Sequence, residues 1–551
     1  MTRAAGLLFA LALLLGAALR TAAAADDATV TTAAADASAG AAAEGAAAAA
    51  PAGRPVTLDE AVAMALEKNE GIVVERLALS AAQAAVGGAR GAYDPVLEVA
   101  GDLQRTREPV NSAFSGSPAG AAAPTIEAAG AGASVRQLLP TGGSVTVSVS
   151  GSRATTDGAF TLLSPAYGTQ AGIELRQPLL RDRATDPARS AIKVAASDRR
   201  RAAASLRREI NDTVAAVEDA YWTLVAARRE VGVREEAVRL AAEQLEETRG
   251  RIEAGAAPAT EIAQPRAELE RRRGELFASH EAAARADSAL KLLILGDDDA
   301  APWSTSLAPA DDPAIEVVAV DVERALERAL ASRPELHEAE AVRERRGVET
   351  ALARDAVRPA LDAVASFDRF GLAGSGNPAG TTLPGLPAEI PAGMEGPLGR
   401  SFGMLDEDRY EDARVGLELR IPIGNRAARA GVAIARSGER RADADLGRAR
   451  KGVRAEVLVA TAALETAGQR IEAARTARES AEVQLDTERE RYAAGLSTNF
   501  LVLTRQNDLA GARLAEIEAL TDYRAARVDL ARATGTLLEE RGIEVNEAPE
   551  G

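Results

Sequence analysis

Apolar and polar positions alternate along Gly172-Ile173-Glu174-Leu175-Arg176-Gln177-Pro178, and again along Gly416-Leu417-Glu418-Leu419-Arg420-Ile421-Pro422. Each run ends in proline and is followed by a long Ala/Arg/Glu-rich stretch, the pattern of a strand handing over to a helix. The likeness spreads outward from both copies. Leu58-Asp59-Glu60-Ala61 aligns with Val322-Glu323-Arg324-Ala325, and Arg251-Ile252-Glu253-Ala254-Gly255 with Arg491-Tyr492-Ala493-Ala494-Gly495. Each half therefore reads helix, strands, very long helix, glycine turn, returning helix, and the whole is an internal tandem duplication.

Four further segments alternate or are bounded by turns: Tyr93 to Arg105, Ala133 to Leu139, Ser144 to Ser150 and Leu361 to Phe367. With Gln170 to Pro178 and Tyr410 to Ile421 they make about six strands, the shorter ones reaching membrane-crossing length only if they extend into their flanks. Pro140 to Gly143 is a tight turn, whereas Glu108 to Gly132, Gly151 to Gly168 and Gly371 to Arg409 read as long Gly/Pro/Ala-rich loops. Short turns at one end and long loops at the other are the asymmetry of an outer-membrane barrel. A soluble β-sandwich is the competing reading of the strands.

Val217, Leu224, Val231, Val238, Leu245 and Ile252 recur every seven residues, and Val457, Leu464, Ile471, Arg478, Leu485 and Tyr492 repeat them, broken only by Arg478. Heptads sustained this long predict coiled-coil seams in rods of about 100 Å. Glycine caps at Gly255 and Gly495 turn the chain into returning helices over Glu261 to Leu295 and Asn499 to Thr536. Thr57 with Glu60 opens the first helix as a capping box, with a break expected between Asn69 and Gly71.

The ends divide the chain further. Residues 1–25 carry Arg3, an apolar run from Leu7 to Leu19 and Ala23-Ala24-Ala25, which is a secretory signal peptide. Residues 26–55 are low-complexity linker, 56–300 the first structural repeat, 301–320 a linker, 321–538 the second repeat and 539–551 an acidic tail.

Composition narrows the function. Among 551 residues 27% are charged and 3% aromatic, which suits helices packed through small residues and Leu/Val seams. A net charge of −17 disfavours nucleic acid as a partner. There is no cysteine, hence no disulfide and no lipid-anchoring thiol, and the two histidines, His280 and His337, read as solvated helix residues. No phosphate loop, nucleophile motif or metal spacing is present, so neither an enzyme nor a cofactor is expected.

The chain resembles the outer-membrane efflux protein family, the TolC-like channels. The resemblance is carried by Leu58-Asp59-Glu60-Ala61, the strand exits Gln177-Pro178-Leu179-Leu180 and Arg420-Ile421-Pro422-Ile423, and the hairpin Arg491-Tyr492-Ala493-Ala494-Gly495-Leu496-Ser497-Thr498. The ending Asp522-Tyr523-Arg524 through Ala533-Thr534-Gly535-Thr536-Leu537 matches as well. The resemblance implies an α+β fold: a homotrimer closing one β-barrel in outer-membrane lipid, continued by a periplasmic α-helical coiled-coil barrel. It implies a passive exit channel for efflux or type I secretion, working with a periplasmic adaptor (membrane fusion) protein and an inner-membrane pump. The adaptor would contact the hairpin tips, Gly255, Ala256, Ala257, Pro258 and Thr260, and Gly495, Leu496, Ser497, Thr498, Asn499 and Phe500. Acidic residues often ring the entrance in this family; Glu261 occupies such a position, whereas the second hairpin has Leu501 and Thr504. The family's simplest members contribute four strands per chain, so either the barrel here is larger or the hairpin around Pro140 to Gly143 lies outside it. A coiled-coil structural or adhesive envelope protein is the alternative function, and the adaptor itself a third.

Overall fold

A computed structural model describes residues 53–109, 116–117, 123–256, 258–296, 303–311, 315, 317–381 and 389–545. The signal peptide, most of the low-complexity linker and the end of the acidic tail lie outside these residues. The described chain forms two compact units, and both halves of the sequence contribute to each: residues 92–186 and 355–424 make one, the segments before, between and after them the other.

The first unit is a six-stranded antiparallel sheet. Its strands are β2 (Val96–Thr106), β3 (Ile126–Leu138), β4 (Ser144–Thr156), β5 (Leu163–Pro178), β7 (Ala360–Gly376) and β8 (Glu411–Arg420), paired in that order. The hairpin around Pro140 to Gly143 is thus part of the sheet. Every strand but β8 runs further toward the loop end than its alternation indicated, because the Gly/Ser/Ala-rich stretches Ile126 to Gly132, Gly151 to Thr156, Leu163 to Gly168 and Gly371 to Gly376 are strand rather than loop. Small residues carry no hydrophobic alternation, yet their backbones pair as well as any. At the other end β2 starts at Val96, with Tyr93 in a short 3₁₀ turn (Gly91–Tyr93).

The pairing register opposes odd residues to odd and even to even across the sheet, as in the row Val96, Arg136, Thr146, Glu174, Ser366, Arg414. Odd positions therefore share one face from β2 to β8. That face is apolar, with Leu97, Val99, Leu103, Val149, Ile173, Leu175, Phe367, Val415, Leu417 and Leu419 all exposed. The even face carries Glu98, Asp102, Gln170, Glu174, Arg176, Asp362, Asp368, Arg414 and Glu418.

The second unit is helical. Thr57 closes the expected capping box on α1 (Leu58–Lys68), and Asn69 ends that helix and caps α2 (Glu70–Arg90). Two long hairpins follow, α3 (Pro187–Glu253) with α4 (Ala263–Ile294), and α8 (Arg426–Ala493) with α9 (Asn499–Thr534). At 67 and 68 residues, α3 and α8 each run about 100 Å. The heptad residues Val217, Leu224, Leu245, Val457, Leu464, Ile471 and Leu485 are buried along these helices. Arg478, where the heptad breaks, pairs with Glu516 of α9 at 2.7 Å and with Glu482 at 3.1 Å. Helices α5 (Val322–Ser332) and α6 (Pro334–Asp355) complete the counterpart of α1 and α2.

Two features depart from the sequence reading. Arg54–Val56 is a strand, β1, paired in parallel with β6 (Leu307–Pro309) inside what looked like an unstructured linker. Tyr221 ties this pair down, its hydroxyl donating to Asp311 Oδ2 and lying 3.1 Å from Val56 O. The tail also folds over its first residues: α10 (Leu537–Glu540) is followed by Ile543 and Val545, which pack on the helical core. Three-residue strands and single anchoring side chains are too short to leave a periodic signal.

Candidate functional site

The two hairpin turns are built alike. Gly255 N–H donates to Ile252 O at 3.0 Å and Ala256 N–H to Arg251 O at 2.8 Å; Gly495 N–H donates to Tyr492 O at 3.0 Å and Leu496 N–H to Arg491 O at 2.8 Å. This pair of hydrogen bonds satisfies the last helical carbonyls and needs a left-handed residue, which Gly255 at φ 70° and Gly495 at φ 74° supply. Gly255, Ala256, Pro258, Thr260, Gly495, Leu496, Thr498 and Phe500 are all exposed, Ser497 and Asn499 half-buried. Ala257 lies outside the described residues. The second turn is the more apolar, since Leu496 and Phe500 both stand open to solvent.

Glu261 lies in a 3₁₀ turn, Ala259–Ile262, and is exposed; the returning helix begins after it, at Ala263. The 3₁₀ turn follows from Pro258, which cannot donate a helical hydrogen bond. In the second hairpin Leu501 is partly exposed, while Thr504 turns its hydroxyl back to Phe500 O at 2.8 Å. His280 and His337 are both exposed. Among the described residues no group of three or more His, Asp and Glu could hold a metal ion.

Sequence reasoning missed the contacts that join the hairpins to each other. Arg251, at the end of α3, donates to the hydroxyl of Tyr492 on α8, and its guanidinium sits 5.3 Å from the Tyr492 ring centre. Further along, Arg272 of α4 is 2% exposed and lies between the hairpins. Its Nε donates to Glu268 Oε1 at 2.7 Å, and another guanidinium nitrogen donates to Asn507 Oδ1 of α9. Arg271 joins the cluster, 3.0 Å from Asn507 and 2.5 Å from Glu268. Burial pushes the Glu268 carboxyl up, but hydrogen bonds from Arg271 and Arg272 outweigh it and hold it at about 2. Glu268-x-x-Arg271-Arg272 looks like any charged helix face in the sequence; only docking against α9 makes it a clamp.

A second charged cluster lies where α3 meets α9. Asp219 is pushed up to about 6 by burial, with the charges of Asp529 and Glu218 adding to it and Arg532 opposing. Neighbouring Glu218 is buried against Arg541 at 2.7 Å.

The sheet presents its own chemistry. On the even face Arg176 bridges Asp362 at 2.7 Å and Glu418 at 2.8 Å, joining β5, β7 and β8, and Gln170 donates to Asp368 at 3.0 Å. On the odd face the β7–β8 connection folds back as a short helix, α7 (Leu398–Gly403). Thr169 donates to Ser401 O at 2.9 Å, and Phe402 lies over Gly151. A Cβ on Gly371 would fall 1.8 Å from Ser401 O, so this approach requires glycine.

Comparison with known proteins adds the following. Residues 325–536 match the model of the family described as outer membrane efflux protein. Three solved structures resemble the fold: a membrane protein from Pseudomonas aeruginosa (21% identity, TM-score 0.59, 87% of this chain and 90% of that one), the Campylobacter jejuni CmeC outer membrane channel (16%, 0.58, 87% and 86%) and the open state of the Neisseria gonorrhoeae MtrE outer membrane channel (16%, 0.56, 87% and 89%). No curated protein matches the chain.

Proposed function

We propose, on the match of residues 325–536 to the outer membrane efflux protein family, that the chain belongs to that family and is a passive exit channel in the outer membrane. Three copies close a β-barrel in lipid, and their helical hairpins extend into the periplasm as a coiled-coil barrel. The observation that carries this is the two-faced sheet. Its exposed apolar face suits lipid, its ion-paired polar face suits a water-filled lumen, and its two edge strands, β2 and β8, keep one side unpaired. In a bilayer such edges must be satisfied, and closure with further copies does so.

The tandem duplication fits this plan, each repeat supplying strands and one hairpin. The channel catalyses nothing and binds no cofactor; an inner-membrane pump supplies energy and a periplasmic adaptor engages the tips. Leu496 and Phe500, exposed and apolar beside Gly495, are the part of the tip best suited to an apolar partner surface. The closed tip is held by Arg251 on Tyr492 and by Arg271 and Arg272 on Asn507. Glu261, Leu501 and Thr504 stand beside the turns and line the entrance in this reading.

Conductance in planar bilayers tests the proposal, together with the mass of the detergent-solubilised protein. A trimer giving stable pores is expected. A non-conducting monomer would leave a coiled-coil envelope rod as the better account. Replacing the exposed Leu496 and Phe500 with arginine should leave conductance intact but abolish export in cells, since it spares the glycine turn and damages adaptor docking.

A further inference from the structure

We propose that β2 and β8 are the two halves of a single seam, and that a second copy of this chain pairs with each edge in the register that sets Asp102 opposite Arg414. The inference rests on the trimeric-channel reading and specifies its geometry: eighteen strands, six from each copy.

The register can be derived. Following hydrogen-bonded partners from Val96, the first residue of β2, across the sheet leads to Arg414 on β8, six residues before the strand ends at Arg420. In a symmetric barrel each copy's β2 begins at the same height. Arg414 must therefore meet the next copy's β2 some residues beyond Val96, and that offset fixes the strand tilt. The offset must also be even, because an odd one would turn the apolar face of one copy toward the lumen beside the polar face of its neighbour. With about 3.3 Å per residue and about 4.8 Å between strands, offsets of four, six, eight and ten over six strands give tilts of about 25°, 35°, 43° and 49°. Barrels tilt by about 35–45°, so six and eight survive.

Charge decides between them. At an offset of six, Asp102 on the lumenal face meets Arg414, and Arg105 on the lipid face meets Glu411. Leu97, Val99 and Leu103 then face Leu419, Leu417 and Ala413. Both faces gain an opposite-charge pair directly across the seam. Glu98 comes to face Glu418, whose charge is already met by Arg176 and Arg420 within its own chain. At an offset of eight, Asp102 faces Gly416 and Arg105, which keeps its exposed contact with Glu127 of β3 at 3.5 Å, faces Ala413; within the strands the single opposite-charge pair is then Glu98 with Arg420, whose guanidinium Glu418 already holds in its own chain. Among the described residues Asp102 makes no ion pair, and Arg414 pairs with Asp412 on its own strand, at 3.2 Å and largely exposed.

The seam has a consequence for transport. Eighteen strands at this tilt enclose a barrel about 34 Å across between backbones, too wide for side chains to fill. Restriction of what leaves must then come from the helical tips.

The chain has no cysteine, so introduced pairs report cleanly. Gly101→Cys with Val415→Cys are opposed at an offset of six; Gly101→Cys with Leu417→Cys are opposed at eight. Within one copy these positions lie on opposite edges of the sheet, so a crosslink joins two copies. Oxidation should convert the first pair to covalent dimers and trimers on denaturing gels and leave the second mainly monomeric. Separately, Asp102→Arg and Arg414→Asp should each lower trimer yield several-fold, and the double substitution should restore it. Efficient crosslinking of the second pair overturns the register. Pores without crosslinks in either pair overturn the seam while the channel stands, and a non-conducting monomer removes both.

Discussion

Replacing Arg272 with methionine removes the clamp between the hairpins while keeping most of the buried stem. The guanidinium makes two charge-assisted hydrogen bonds, to Glu268 and Asn507, in a position only 2% exposed. Each such bond is worth about 1.5–3 kcal/mol net, but Arg271 remains to serve both acceptors, so the loss should be about 2 kcal/mol. The same contacts hold the Glu268 carboxyl at about 2, against burial that pushes it up. A loss of about 2 kcal/mol corresponds to about thirty-fold more of the separated hairpin state. Amide exchange should therefore quicken by about that factor in segments 236–275 and 485–513, and in the proposed channel pore opening should become more frequent. Because the folded pKa is depressed, Glu268 stabilises the clamp above about pH 4.5, and this is lost as pH falls toward about 2. The difference between wild type and variant should shrink over the same window. Unchanged exchange in both segments at neutral pH would refute the clamp.

Three further outcomes are expected. Asp219 is raised to about 6, so its charged form opposes packing as pH rises from about 4 through 6; Asp219→Asn should raise the thermal midpoint at pH 7.5, by up to about 3 kcal/mol of stability, and by progressively less toward pH 4. Arg478→Leu leaves Glu516 with the longer Arg475 contact, at 3.8 Å, and should destabilise by about 1–2 kcal/mol in denaturant titration, whereas Arg478→Leu with Glu516→Leu should recover or exceed wild-type stability by completing the apolar seam. Gly371→Val forces α7 off the sheet, so protease should cut residues 389–410 in the variant under conditions that leave the wild type intact.

Much of the architecture was legible in the chain itself because it rests on periodicity. Seven-residue spacing located α3 and α8, alternation located the six strands, and the glycine turns carried their own geometry in Gly255 and Gly495. These are local properties, written within a few residues of where they act. Tertiary structure alone decided the pairings between distant segments. Arg272 and Asn507 meet across 235 positions of sequence, Arg54–Val56 finds Leu307–Pro309 with three residues on each side, and α7 rests on the sheet because Gly371 and Gly151 leave room for it. Such contacts depend on which surfaces folding brings together, and a single charged or small residue looks the same in sequence whether it faces water or a partner.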